Sequence, residues 1–203
     1  MEVQPSQRRR EQQRREARSA ILTAAEALML DLGTERFSIR RLAVRCGYTA
    51  PTIYHHFGDK QSLVDAVLET CYADLLGRLR QVPRGEDASE YVRSLLRTFI
   101  RLNLEHPTYY RLLSVPRTET GSLPSAEAAR ELVAQALREL AARGRLATDN
   151  IDAAVETLWA LMHGLISLRI IRPNYPFSKD LDDVALDMLD AGLLQRRPGG
   201  TPT

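Results

Sequence analysis

The sequence predicts an all-α fold, with a small three-helix unit at the front and a larger helical unit behind it. Apolar residues recur at spacings of three and four along most of the 203 residues, the period of a helix buried on one face. No segment alternates apolar and polar residues as a half-buried strand would. Cap and stop residues also punctuate the chain: Ser38, Gly47, Thr49, Asp87 and Pro107 each stand where a helix should begin or end.

Residues 1–14, MEVQPSQRRREQQR, are polar without apolar periodicity and read as a flexible basic arm that can turn helical towards its end. From Ala17 onward, Ile21, Ala24, Ala25, Leu28 and Leu32 mark an amphipathic helix that Gly33 stops. Ser38 caps a second helix carrying Ile39, Leu42 and Ala43, with Phe37 as its staple residue, and Gly47 ends it. Thr49 caps a third, in which Pro51 occupies the first turn, where a missing N–H does no harm. This helix reaches only to Phe57, roughly 10 Å. A longer helix starts at Asp59 or Ser62 and runs through Leu63, Val67, Cys71, Leu75 and Leu79. Asp87 and Glu90 then form a candidate capping box for a helix with Tyr91, Leu95, Phe99 and Leu102, ending at His106–Pro107. A short segment at 109–115 precedes a loop rich in Pro, Thr, Gly and Ser at 116–125. Helices are predicted at about 125–143, 149–171 and 179–195. The middle one is apolar nearly all round, which predicts burial on every side, one face against its own core and one against a partner. Residues 197–203 read as a disordered tail. The domains are then the arm at 1–14, a three-helix unit at 15–75 and a second unit at 76–196.

Composition narrows the class. Residues 1–60 hold 11 Lys and Arg against 7 Asp and Glu, whereas residues 61–203 hold 17 against 19. A basic front on a mildly acidic remainder points to an anionic partner for the front. The basic arm itself either adds phosphate contacts or is a solvated extension. The polar, basic start reads against a secretory signal, and no apolar run approaches the 18 or so residues of a membrane span. The expectation is a cytoplasmic protein with no membrane partner. Two cysteines, Cys46 and Cys71, are too few for a disulfide framework or zinc site. No acid–base dyad, nucleophile–base pair or phosphate loop appears, so neither an enzyme nor a cofactor is expected.

The two helices within 38–57 and the Gly-containing turn between them fit a helix-turn-helix. Ile53 and Phe57, four apart, anchor the short helix to its neighbours, leaving Ala50, Pro51, Thr52, Tyr54, His55 and His56 to face outward. Each suits duplex DNA. Ala50 and Pro51 match a thymine methyl, and Thr52 and Tyr54 offer hydroxyls to phosphate. His55 reaches a base edge or phosphate, Lys60 a phosphate, and Arg40 a guanine. With the caps Ser38 and Thr49, these residues make up the candidate DNA face. Adjacent histidines do not share a helix face, so His55 and His56 make a poor metal pair.

The stretch FSIRRLAVRCGYTAPTIYHHFGDKQSLVDAVLE, with the helix 17–33 before it, resembles the DNA-binding domain of the TetR family of bacterial transcriptional regulators. The distinctive string is G-(three)-P-T-I-Y-H-H-F-(two)-K-(two)-L, from Gly47 to Leu63, and the resemblance covers about residues 15–75. It implies that Arg40, Ala50, Pro51, Thr52, Tyr54, His55, His56 and Lys60 line the DNA face. It also implies a linking helix, at 62–82, to a C-terminal ligand-binding and dimerisation domain. The implied partners are a palindromic operator in double-stranded DNA, a small-molecule effector, and a second copy joined through the last two long helices. Two reading helices about 34 Å apart would meet successive major grooves. Positions 50 and 51 carry no hydrogen-bonding side chain, where many relatives place a polar or basic residue at the first; base readout then rests more on Arg40, Thr52 and His55.

TLWALMHGLISL, at 157–168, resembles the Trp-containing helix with a His-Gly pair of one C-terminal subfamily. Phe99, Asn103, Tyr110, Leu113, Trp159, Met162 and His163 are the candidate cavity lining, and their apolar bias points to a hydrophobic or amphipathic effector. The function implied is a ligand-responsive repressor. Two alternatives stay open: an activator or corepressor-dependent regulator of the same fold, and a helical interaction protein without DNA binding.

Overall fold

In a computed structural model, which describes residues 5–114 and 123–193, the first helix far outruns its apolar stripe. α1 (Pro5–Leu32) has 28 residues, about 42 Å at 1.5 Å each. The expected arm is helical already from Pro5, well before its end, and residues 6–16 are all exposed. Between residues 7 and 20 only Ser19 departs from Gln, Arg, Glu and Ala, all good helix formers. A helix fixed by the packing of Ile21, Ala25, Leu28 and Met29 can propagate outward through them at little cost. Residues 1–4 lie outside the described residues.

α2 (Ile39–Cys46), α3 (Ala50–Phe57), α4 (Lys60–Arg80) and α5 (Ala88–Glu105) follow. Then come α6 (Pro107–Leu113), α7 (Pro124–Ala142), α8 (Ile151–Ile171) and α9 (Leu181–Gly192). No strand occurs among the described residues. Most of the loop expected at 116–125 and all of the tail at 197–203 lie outside them.

The chain divides into two units, Met1–Cys71 with Thr108–Leu123, and Tyr72–Pro107 with Pro124–Thr203. The division falls inside α4, one unbroken helix. It also returns α6 beyond Pro107 to the first unit, where the sequence reading had assigned it to the second. There the Tyr109 hydroxyl donates to the Glu26 carboxylate of α1 at 2.7 Å. The first unit buries Ile21, Ala25 and Met29 of α1 with Phe37, Ile39, Leu42, Ile53, Leu63 and Val67.

In the second unit, α5, α7 and α8 pack on one another and α9 lies on α5. Leu95, Ile100, Leu137, Leu140, Leu158, Met162, Ile166 and Leu186 form its core. Asp87 caps α5, accepting from the Ser89 amide at 2.9 Å. The reciprocal half of the expected box is replaced: the Glu90 carboxylate accepts from Ser94 and lies 3.9 Å from Arg93.

α8 departs from expectation in one respect. Among the described residues it is the helix long and apolar enough to cross a membrane by length and composition, where none was expected. Within the chain it buries one face, the one expected against its own core. Ala154, Val155, Leu158, Met162, Leu165 and Ile166 are inside, whereas Trp159 is 64% exposed and Ile171 73%. The covered face is that of a core helix, and the second apolar face has no cover among the described residues.

Candidate nucleic-acid interface

Two capped helices and a three-residue turn build the site. Ser38 sits extended (φ −144°, ψ 148°), and its hydroxyl accepts from the Arg41 amide at 3.3 Å, starting α2. Gly47 ends α2 at φ 74°, donating its N–H to the Ala43 carbonyl at 3.0 Å. This left-handed conformation strains a residue with a side chain, so Gly47 lets the chain reverse within residues 47–49. The Thr49 hydroxyl accepts from the Thr52 amide at 3.3 Å and meets the Thr52 hydroxyl at 2.8 Å. Ser38, Thr49 and Thr52 are thus engaged in starting helices, which leaves their remaining hydrogen-bonding capacity for an external group. Asp59 accepts from the Ser62 amide at 2.7 Å, and that backbone bond holds its carboxyl below the usual carboxylate range.

An eight-residue helix is unstable alone. Ile53 and Phe57 are buried, and at about 1.5–3 kcal/mol per large side chain their burial offsets the cost of ordering α3. With those two pointing in, Pro51, Tyr54 and His55 point out, and Tyr54 is 45% exposed. Ala50 and Thr52 are half-buried at the flanks.

His56 is a correction. It follows Ile53 by three residues, only about 60° around the helix, so it flanks the buried side. Its ring is half-buried, with Nδ1 buried and unpartnered. Burial, then the charges of His55, Arg14 and Arg18, push its pKa below the ordinary value. That spacing was legible in the sequence; the neighbouring arginines of α1 were not.

The cations of α2 divide by partner. Arg41 donates to the Arg36 carbonyl at 3.2 Å, and Arg45 pairs with Asp31 at 2.6 Å. Arg40 is exposed and has no hydrogen bond or ion pair among the described residues. Val44, four residues on and on the same face, is exposed as well, and the sequence reading missed it. The Lys60 ammonium stands 5.9 Å from the centre of the Phe37 ring, at the start of α4.

The candidate ligand residues do not all assemble. Phe99, Trp159 and His163 do: the His163 ring centre lies 5.9 Å from Phe99 and 4.9 Å from Trp159. Burial pushes the His163 pKa down. Met162 is buried beside them in sequence, and the buried Asn103 amide donates to the Phe99 carbonyl at 2.8 Å. Trp159 was expected inside and stands largely exposed. Tyr110 is buried and Leu113 half-buried, but both belong to the other unit.

Residues 21–67 match a family model described as bacterial regulatory proteins, tetR family, and residues 92–191 match one described as tetracyclin repressor-like, C-terminal domain. The class C tetracycline repressor protein of Escherichia coli is 36% identical over 70 residues, 34% of this chain and 31% of that one. The chain thus matches about a third of that relative's length. The HTH-type transcriptional repressor AcnR of Corynebacterium jeikeium (strain K411) is 26% identical over 197 residues, covering 91% of this chain and 94% of that one. A putative tetR family regulator from Shewanella sp. PV-4 superposes with a TM-score of 0.73 at 16% identity, over 89% of this chain and 99% of that one. At that identity the likeness shows the fold alone.

Proposed function

The chain belongs to the TetR family of bacterial regulatory proteins, and from that membership we propose that it is a homodimeric, ligand-responsive repressor of a palindromic operator, acting in the bacterial cytoplasm. The observation that carries the reading is the outer face of α2 and α3. Pro51, Tyr54 and His55 face out because Ile53 and Phe57 face in, and Arg40 lacks an internal anion. An exposed short helix bearing donors, beside an uncompensated guanidinium, is what a major groove and its phosphates accept.

Dimerisation has its own support. Six of the eight large apolar side chains left exposed among the described residues lie between Trp159 and Met188, on α8, α9 and the segment joining them. Scattered exposure is ordinary, but clustering on this scale marks an interface. An isologous pairing through α8 and α9 covers the cluster. The effector is a hydrophobic or amphipathic small molecule, with Phe99, Met162 and His163 as its contacts.

Selection of bound sequences from a random duplex pool tests the reading; a palindrome should emerge. On the selected site, Arg40→Ala and Tyr54→Ala should each weaken binding by about 1–3 kcal/mol while the dimer survives. Unchanged footprints for both variants would remove these residues from the interface. Enrichment of no sequence at all would favour the helical interaction protein.

A further inference from the structure

α1 carries more charge toward α3 than its role as a packing helix needs. Between residues 5 and 20 it has six arginines, Arg8, Arg9, Arg10, Arg14, Arg15 and Arg18, against Glu11 and Glu16. Helical spacing sorts them. Arg10, Arg14 and Arg18 are four apart, and the same stripe continues as Ile21, Ala25 and Leu28, which are buried. The face of α1 that packs on the first unit therefore becomes arginine over its first turns. Arg15, off this stripe, pairs with Glu11, and Gln12 with Glu16. Arg10, Arg14 and Arg18 have no carboxylate partner among the described residues.

Two contacts set this stripe beside α3. The Arg18 guanidinium lies 4.7 Å from the centre of the Phe57 ring, at the last residue of α3. The charges of Arg14 and Arg18 both act on His56, one residue earlier. Like charges gathered without an anion repel one another in the free protein, and an arriving phosphate relieves that repulsion.

We propose that Arg10, Arg14 and Arg18 form a phosphate-binding track along α1, which extends the footprint of α3 by about 12 Å along the DNA backbone. The proposal rests on the reading of α3 as the groove-entering helix. The track carries no base preference, because guanidinium–phosphate contacts position a protein without reading sequence. Phe57 is the fixed point: stacking on its ring holds Arg18 extended, so less side-chain freedom is lost on binding.

The test is fluorescence anisotropy of the full chain with a labelled mixed-sequence duplex, from about 50 to 200 mM salt. Each phosphate contact contributes about 0.9 to the slope of log affinity against log salt. The triple variant Arg10→Gln/Arg14→Gln/Arg18→Met keeps an apolar side chain on Phe57. Its slope should be shallower by about 2–3 for each protomer, about 5 for the proposed dimer, with equal loss on mixed-sequence and selected DNA. Should that variant unfold, Arg10→Gln/Arg14→Gln leaves Arg18 in place and should lose about 2 for each protomer. Lysine at all three positions should restore the slope. A folded variant with the wild-type slope overturns the track and leaves the reading of α3 standing. Wild-type chain without salt-dependent duplex binding overturns both.

Discussion

His163 shows how much a single residue's setting matters. A histidine four residues after Trp159 on an apolar helix is readable either as core or as ligand contact. The structure places it half-buried between Trp159 and Phe99, where burial disfavours the imidazolium. The linkage sign follows from the depressed folded-state pKa. Above about pH 6.5 the ring is neutral in both folded and unfolded chains and contributes no pH dependence. As pH falls below that value the unfolded chain takes up the proton first, so stability drops until the folded pKa is passed. Stability of the wild type should therefore fall as pH drops from about 6.5 to 5.5, and His163→Gln should flatten that part of the profile. Urea denaturation across the range reads this directly. An equal slope in the variant would assign the dependence to another group, with His56, also shifted down, the next to substitute.

At the scale of the element, α9 is held by charge on one side and unfilled on the other. Its acidic face meets arginines: Arg93 contacts Asp187 at 2.9 Å and also Asp190, Arg97 contacts Asp183 at 3.0 Å, and Arg169 binds Asp182 through both of its terminal nitrogens. These pairs are not equal. Arg97–Asp183 and Arg93–Asp187 each have a well-exposed carboxylate and contribute little. Arg93–Asp190 joins side chains only 14% and 26% exposed, and the second Asp190 oxygen is buried without a partner. Arg93→Met keeps the stem's packing but leaves Asp190 uncompensated. It should cost about 1–3 kcal/mol, as loss of a partly buried charged partner does. Arg97→Met should stay within about 0.5 kcal/mol. Thermal melts of the two variants side by side check the ranking. Val184 and Met188 stand exposed on α9, so loosening it should weaken the proposed self-association too.

For the whole molecule, the proposed assembly rests on the exposed faces of α8 and α9. Trp159 is the single tryptophan, so its emission reports this surface without interference. Diluting the protein toward monomer should shift the emission to the red as Trp159 meets water. Ile171→Glu with Met188→Glu should give a monomeric mass by light scattering, because both residues are more than 70% exposed in the single chain and a carboxylate there cannot be covered. Operator binding should fall by about 100-fold or more in that variant, since each reading head then binds without its linked twin. A dimeric mass for the double variant would move the interface elsewhere.

The reading head was legible because everything that shapes it is local. Ser38, Gly47, Thr49 and Pro51 act through their own backbone and the next turn, and Ile53 with Phe57 sets α3's facing by spacing alone. Other features depend on contacts distant in sequence. A helix apolar all round has no periodicity to say which face its neighbours will take, so only packing against α5 and α7 left Trp159 outside. Pattern could not show that α6 joins the first unit through Tyr109 and Glu26, 83 residues apart. The same holds for Arg18 meeting Phe57 across 39 positions of chain. By itself the sequence determined the class, most of the helices and the helix-turn-helix motif, through short-range backbone and capping energetics. Only tertiary structure decided which surfaces stay open and which charges gather, because those outcomes depend on what long-range packing brings alongside.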